Sequence, residues 1–286
     1  MASPFPPLRR WGQNFLVDAG AAARIVAAAA VAPGESVVEI GPGDGALTRL
    51  LAATGGNLLA VEIDPLRAEA LSRELAPFSN VAIAAGDALA MPIAERLAAH
   101  GLAAPAAVVG NLPYNVATPI LRAAVRERGA VSRIVATVQK EVARRLVARP
   151  GSDDYGFLSV ETAFFAGAEI LFDLPPGAFR PRPKVVSAVV RLRPREPPAA
   201  GADLDRLLDV TSRAFRFRRK TLPNALAGGG SRAIWEEALA AVGKPPTARA
   251  EELSPEEFVA LAGAAAAATP AKSRPLAPSP GGEGGG

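Results

Sequence analysis

The sequence predicts an α/β fold, a mostly parallel sheet with helices on both faces, completed by a small C-terminal all-helical unit. Three observations carry that expectation. Apolar runs of strand length alternate with helical patterns through the first two-thirds of the 286 residues, the order that builds parallel sheets. Gly41-Pro42-Gly43-Asp44-Gly45 stands between the first central run and a helical stretch, where glycine lets backbone approach a ligand that a Cβ would keep away. Pro194, Pro197 and Pro198 with Ala199-Ala200-Gly201 then interrupt the pattern, and only helical spacing follows. The chain accordingly divides into residues 1–196, a sheet domain with an N-terminal arm; residues 197–268, a helical domain; and residues 269–286, a tail of Pro, Ser, Ala and Gly expected to be disordered.

Each element has a local reason. Asp18 is placed to cap a helix over Ala19–Ala32. Ser36–Ile40 is the first central strand, and a helix over Ala46–Ala53 follows the glycine turn. Leu58–Ile63 is the second strand. Asp64-Pro65 then gives a cap and a proline at the first helical position, for a helix ending before Pro77. Val81–Ala85 and Ala107–Gly110 are the next strands, Thr118-Pro119 opens a helix ending near Gly129, and Arg133–Val138 is the fifth strand, with a basic helix behind it. Glu169–Phe172 and Ala188–Leu192 are expected to close the sheet as a hairpin, with an antiparallel strand at one edge. In the helical domain Leu204, Leu207, Leu208, Thr211 and Phe215 share a face, and Ser254-Pro255-Glu256-Glu257 is a capping box opening the last helix.

Composition limits the chemistry. With no cysteine and one histidine, His100, disulfides, cysteine-based zinc sites and Cys or His catalysis are excluded, and no metal is expected. His100, beside Gly101, reads as a plain surface residue of a loop. No apolar run reaches membrane-span length, and the opening Met1–Pro7 lacks the charged-then-apolar order of a signal peptide. A cytoplasmic protein without a membrane partner is the expectation. The net charge of +4 is modest but unevenly placed. Arg180, Arg182, Lys184, Arg191, Arg193 and Arg195 form one run without an acid, and Arg213, Arg216, Arg218, Arg219 and Lys220 form another, interleaved with Phe215 and Phe217. Two such clusters point to a polyanion, and the aromatic interleaving to nucleic acid.

The chemistry concentrates at strand ends, where open α/β sheets place their ligands. Asn111-Leu112-Pro113-Tyr114 follows a buried strand and suits methylation of an exocyclic amine on a planar base. Such a nitrogen is a poor nucleophile because its lone pair is delocalised. The Asn111 side-chain oxygen and the Leu112 carbonyl are placed to accept its two N–H groups and aim the lone pair, while Tyr114 offers a stacking face. The glycine turn has the spacing G-x-G-x-G rather than the G-x-G-x-x-G of dinucleotide folds. Glu62, ending the second strand, is placed to accept from ribose hydroxyls of NAD or S-adenosylmethionine alike, and Asp87, after the third, to accept from an adenine amine or to cap a helix.

These blocks bring the chain close to a family. It resembles the small-subunit ribosomal RNA adenine dimethyltransferases from about Leu8 to Leu261. The resemblance lies in Gly12-Gln13-Asn14-Phe15-Leu16, Glu39-Ile40-Gly41-Pro42-Gly43, Glu62-Ile63-Asp64, Gly86-Asp87-Ala88-Leu89 and Asn111-Leu112-Pro113-Tyr114-Asn115. It continues in Val138-Gln139-Lys140-Glu141-Val142, Tyr155–Val160, Phe179-Arg180-Pro181-Arg182-Pro183-Lys184-Val185 and Arg218-Arg219-Lys220-Thr221-Leu222. Trp11, Ala117 and Pro223 depart from the pattern, and Pro223 is placed to shorten the helix carrying the basic residues.

The resemblance implies a class I S-adenosylmethionine-dependent methyltransferase (Rossmann-like) sheet. The implied activity is dimethylation of the N6 amine of two adjacent adenosines near the 3′ end of small-subunit rRNA, by a monomer working on a pre-30S particle. It implies that Asn14, Leu16, Gly41, Glu62, Asp87 and Asn111 contact S-adenosyl-L-methionine. Asn111, Leu112, Tyr114 and Phe179 would hold the target base, with Phe179 opposite Tyr114. Residues 197–268 would bind rRNA through Arg216, Arg218, Arg219 and Lys220. Three other readings stay open at this point: a large-subunit rRNA dimethyltransferase, a ribosome-assembly binding factor with little catalysis, and an NAD-dependent dehydrogenase.

Overall fold

The computed structural model describes residues 14–217, 219–229 and 231–268; Gln13, Arg218 and the tail 269–286 lie outside the described residues. A two-residue strand β1 (Phe15–Leu16) leads into α1 (Ala19–Ala29), followed by β2 (Ser36–Ile40), α2 (Thr48–Ala52), β3 (Asn57–Glu62), α3 (Pro65–Leu75), β4 (Val81–Ala85), α4 (Ile93–Ala99) and β5 (Ala106–Asn111). The sheet domain continues with α5 (Ala117–Arg126), β6 (Val131–Gln139), α6 (Lys140–Val147), α7 (Phe157–Phe165), β7 (Ala166–Leu174), β8 (Phe179–Arg180) and β9 (Ser187–Pro194). Helices α8 (Gly201–Arg216), α9 (Leu222–Leu226), α10 (Arg232–Ala241) and α11 (Pro255–Ala268) follow.

The main sheet has the order β4-β3-β2-β5-β6-β9-β7. Its first five strands are parallel, and β9 pairs antiparallel with both β6 and β7. The reversed strand is therefore one place in from the edge rather than at it, as the sequence suggested. The reason is burial. Ser187–Val190 is buried throughout, so β9 needs a neighbour on each side, whereas most of β7 is only half-buried and tolerates the edge.

Alternate side chains divide between two cores, as the two-residue strand period requires. Val37, Leu58, Val109 and Val135 pack toward Ile25 of α1 and Leu51 of α2. Val38, Leu59, Val108 and Ile134 face Leu97, Leu121 and Phe164. This second core runs without a break into Leu207, Leu226, Trp235 and Phe258 of the helical segment. Tyr155 makes the junction: its ring meets Phe215 edge-on at 5.8 Å, and its hydroxyl donates to the Leu253 carbonyl at 2.8 Å.

Local signals explain most boundaries. The Asp18 carboxylate accepts from the Ala21 N–H and the Asp64 carboxylate from the Leu66 N–H, each capping its helix. Ser254 and Glu257 form the reciprocal capping box at α11. Several elements end differently from expectation, and β5, β6, β7 and β9 each run longer than expected. Helix α1 stops at Ala29, short of Ala32, because Ala30 turns into the left-handed region at φ 49°. Helix α2 spans only Thr48–Ala52, inside the expected Ala46–Ala53, and β3 starts and ends one residue early. Arg219 and Lys220 sit in a turn between α8 and α9, with Pro223 in the first turn of α9. His100 ends α4 and is exposed, its Nδ1 2.8 Å from the Arg96 carbonyl.

The Tyr155 hydroxyl is a side-chain tie between the two parts of the chain, beside the Gly151 N–H, which donates to the Glu251 carbonyl at 2.8 Å. Tyr155→Phe leaves the buried Leu253 carbonyl without its donor, and urea unfolding should show a loss of about 1–2 kcal/mol. A loss below a few tenths would mean that the tyrosine hydroxyl does not help to hold the junction.

Candidate active site

The strand order reverses between β2 and β5, and the carboxyl ends of these strands open into a cavity. Sheets of this kind bind ligands at such a switch point. Asn14 and Leu16 of the arm, Gly41 of the glycine turn, Glu62 of β3 and Asn111 of β5 all line the cavity. Five of the six residues expected to hold the cofactor thus surround one space. Asp87 does not line it. Its carboxylate accepts the Leu89 N–H at 2.9 Å in a local turn, one strand away from Glu62.

The glycine turn keeps its shape because neighbours press on it. Gly43 has φ 55°, and a Cβ there would come within 2.8 Å of the Phe15 ring, so any larger residue would displace the arm. Gly110 matters for a different reason: a Cβ would approach the Ile40 carbonyl to 2.7 Å, forcing β2 and β5 apart beneath the cavity.

Below the turn lies Arg67 of α3, which is 1% exposed. Its guanidinium pairs with Asp44 of the turn, sits 3.5 Å from the Asp64 carboxylate and stacks on Phe15 of the arm, 4.3 Å from the ring centroid. Arg49 adds a second tie, donating to the Asp44 carbonyl at 2.7 Å while pairing with Glu74. Nothing in the sequence singles out Arg67, since an arginine on an amphipathic helix ordinarily reads as solvated.

Two carboxyl groups face the cavity from below, Glu39 and Glu62. Glu62 accepts the Gly43 N–H at 2.9 Å through one oxygen and the Asp64 N–H at 3.0 Å through the other. Burial raises its pKa, opposed by those two amides and by Arg67. A carboxylate has about four acceptor positions, so Glu62 retains capacity for ligand hydroxyls. Glu39 was not among the expected site residues, although it opens the glycine motif. It is 1% exposed, and burial, with Glu62 adding to it, pushes its pKa up to about 8. Glu39 is therefore largely neutral at pH 7.

On the far wall, the Asn111 Nδ2 donates to the Asn14 carbonyl at 2.8 Å. That bond fixes the amide plane and leaves Oδ1 as its acceptor. Leu112 is buried, which anchors the peptide carrying its carbonyl. Tyr114 is half-buried, and its hydroxyl is 2.6 Å from the Ser187 hydroxyl on β9; burial raises its pKa. Phe179 departs from expectation. It is 3% exposed and packed with Leu16, Leu174 and Val189, its strand paired to the arm as Leu16 to Phe179. Its ring shows no face to a base in this arrangement, so a stacking role requires the β1–β8 ribbon to shift.

The two basic runs also separate. Arg191 and Arg193 both bond Glu169 at 2.8 Å, and the register of β9 places them away from the Ser187 end that meets Tyr114. Arg216 at the end of α8 and Arg219 and Lys220 beyond it are exposed, with the Lys220 ammonium 4.6 Å from the Phe217 ring centroid; Arg218 lies outside the described residues.

Comparison with known proteins agrees with this geometry. The ribosomal RNA adenine dimethylase family matches residues 8–266. The chain is 43% identical over 255 residues to ribosomal RNA small subunit methyltransferase A of Methylococcus capsulatus, covering 89% of this chain and 96% of that protein. It is 45% identical over 263 residues to the protein of the same name from Rhodospirillum rubrum, covering 91% and 88%. Among solved structures, the 23S rRNA methyltransferase ErmE superposes with a TM-score of 0.67 at 30% identity, over 88% of this chain and 100% of that one. A dimethyladenosine transferase from Plasmodium falciparum shares the fold, with a TM-score of 0.70 at 21% identity over 86% and 95%.

Glu39 sets a pH dependence. Its pKa is raised from 4.5 to about 8 in the fold, so its contribution to stability is complete below pH 4.5 and is lost as pH rises through 8. Measured against Glu39→Gln, the wild-type unfolding free energy should fall by on the order of 3 kcal/mol between pH 5 and pH 8. A difference that does not change with pH would show Glu39 titrating as an ordinary carboxylate.

Proposed function

The chain belongs to the ribosomal RNA adenine dimethylase family, and from that premise we infer its reaction. It is an S-adenosylmethionine-dependent methyltransferase that dimethylates the N6 amines of two adjacent adenosines near the 3′ end of small-subunit rRNA. Its setting is a pre-30S particle in the cytoplasm, where it works as a monomer. The observation that carries the chemical part is the Asn111 amide, held by the Asn14 carbonyl at the wall of the cavity.

The cavity fits the cofactor by its residues. Glu62 at the end of β3 suits ribose hydroxyls, the glycine turn admits close approach, and Asn14, Leu16, Gly41 and Asn111 enclose the remainder. Buried Glu39 suits a cationic group, which would favour its ionised form. When bound, S-adenosylmethionine supplies a methyl group on a sulfonium, an electrophile in need only of an aimed nucleophile. Asn111 Oδ1 and the Leu112 carbonyl accept the two N–H groups of the target amine and turn its lone pair toward the cavity. Tyr114, its ring plane held through Ser187, gives the extruded base a face to stack on. Asp87, just past β4, holds the Leu89 N–H through one carboxylate oxygen and suits an adenine amine through the other.

The small-subunit reading is favoured over a large-subunit one by the 43–45% identity to small-subunit enzymes, against 30% to ErmE. Intact Asn111, Tyr114 and Glu62 support catalysis rather than binding alone, and the G-x-G-x-G spacing disfavours NAD.

Two measurements test the reading. Asn111→Ala should reduce methyl transfer to unmethylated small subunits about a hundredfold, the scale of losing one positioned polar group, with subunit binding retained. Turnover within a few-fold of wild type would remove Asn111 from the chemistry. Replacing Arg219 and Lys220 with alanine should flatten the log–log salt dependence of small-subunit binding by roughly one to two units, and leave cofactor affinity as it was. An unchanged slope would make that turn an ordinary solvated surface.

A further inference from the structure

The segment from Arg180 to Val186 is fixed at both ends to parts of the site. Arg180 pairs with Phe15 of the arm that lines the cavity. At the other end the Val186 carbonyl accepts the Lys140 N–H at 3.0 Å, and the next residue, Ser187, holds the Tyr114 hydroxyl. The segment is thus a lip running from the cofactor side of the opening to the tyrosine.

Its surface is cationic and apolar together. Arg180, Arg182 and Lys184 are exposed, and no acidic residue falls between Asp173 and Glu196. Among the described residues none of these three cations has an ion-pair partner, whereas Arg191 and Arg193 of the same basic run are both held by Glu169. Val185 is 43% exposed and Val186 37%, while Val17, 54% exposed, is joined to this ribbon through its N–H to the Ala178 carbonyl. Pro181 and Pro183 restrict the backbone between the cations, which lowers the entropy lost on binding.

We propose that this lip is an RNA-docking surface separate from the basic turn after α8, and that it grips the single-stranded nucleotides flanking the target adenosine. Arg180, Arg182 and Lys184 contact their phosphates, and the valines cover sugar and base faces. The proposal deepens the rRNA reading above and rests on it. A base drawn out of its stack leaves neighbours with uncovered faces, and an apolar rim bearing unpaired cations meets both needs of such a strand. A purely cationic face would serve phosphates alone.

The test uses the full-length protein with S-adenosylmethionine and two RNA probes: unmethylated small subunits, and a short single-stranded oligonucleotide with two adjacent adenosines. The variants are Arg180→Gln/Arg182→Gln/Lys184→Gln and the double charge reversal Arg182→Glu/Lys184→Glu, which leaves β8 intact. Three lost phosphate contacts on a single strand should flatten the log–log salt slope for the oligonucleotide by about two units, at roughly 0.7 per contact. The KM for RNA should rise tenfold or more, with cofactor affinity by calorimetry unchanged. A slope and KM within twofold of wild type in both variants would overturn the proposal. So would an equal loss of affinity for heparin, which would mark a general polyanion face. If wild type methylates small subunits normally while the lip variants match it, only the lip proposal fails; if wild type methylates no adenosine there, the reading of function fails with it.

Discussion

The cavity depends on one buried charge. Arg67 is enclosed where α3 passes beneath the glycine turn, and an enclosed guanidinium is tolerable only if several partners meet it with good geometry. Its partners come from three places in the chain: Asp44 from the turn, Asp64 from the cap of α3, and the Phe15 ring from the arm. Satisfying Arg67 therefore fixes the relative positions of the elements that make the floor and one wall of the site. Gly43 completes the arrangement, since only a residue without a side chain fits under the Phe15 ring.

The same cation explains how acids can crowd beneath the cavity. Glu62 keeps two backbone amides and the nearby Arg67 on the side of its ionised form, against burial. Glu39, more deeply buried and without such amides, is pushed up to about 8 and holds a proton at pH 7. Burial thus raises both carboxyl groups, on adjacent strands, and the local donors restrain the rise at Glu62. Two full negative charges therefore do not meet in a dry space.

Much of this was legible in the sequence, and the remainder has identifiable causes. Ser36–Ile40 and Val81–Ala85 coincide with their expected limits because turn residues bracket short apolar runs. Asp18, Asp64 and Ser254 announced their helices through capping chemistry that acts within three residues. Helix α4 had too little signal to be seen, with Ile93 and Leu97 as its main apolar contacts, and α7 is apolar almost all round, so it shows no face. The inward place of β9 and the burial of Phe179 depend on partners far away in the chain, β7 and the arm respectively. Arg67 was hidden because charge ordinarily signals solvent, and the pairing of Arg191 and Arg193 with Glu169 is a cross-strand fact that a list of basic residues cannot contain.

The apolar residues of the helical segment pack on one another and continue the core on one face of the sheet, with Tyr155 at the seam. Separating the two would uncover Phe215 and Phe258 on one side and Phe164 on the other. The helices and the sheet are therefore joined in their thermodynamics. Damage that loosens the helices also softens the sheet beneath Asn111, so the two parts lose their order together rather than one outlasting the other.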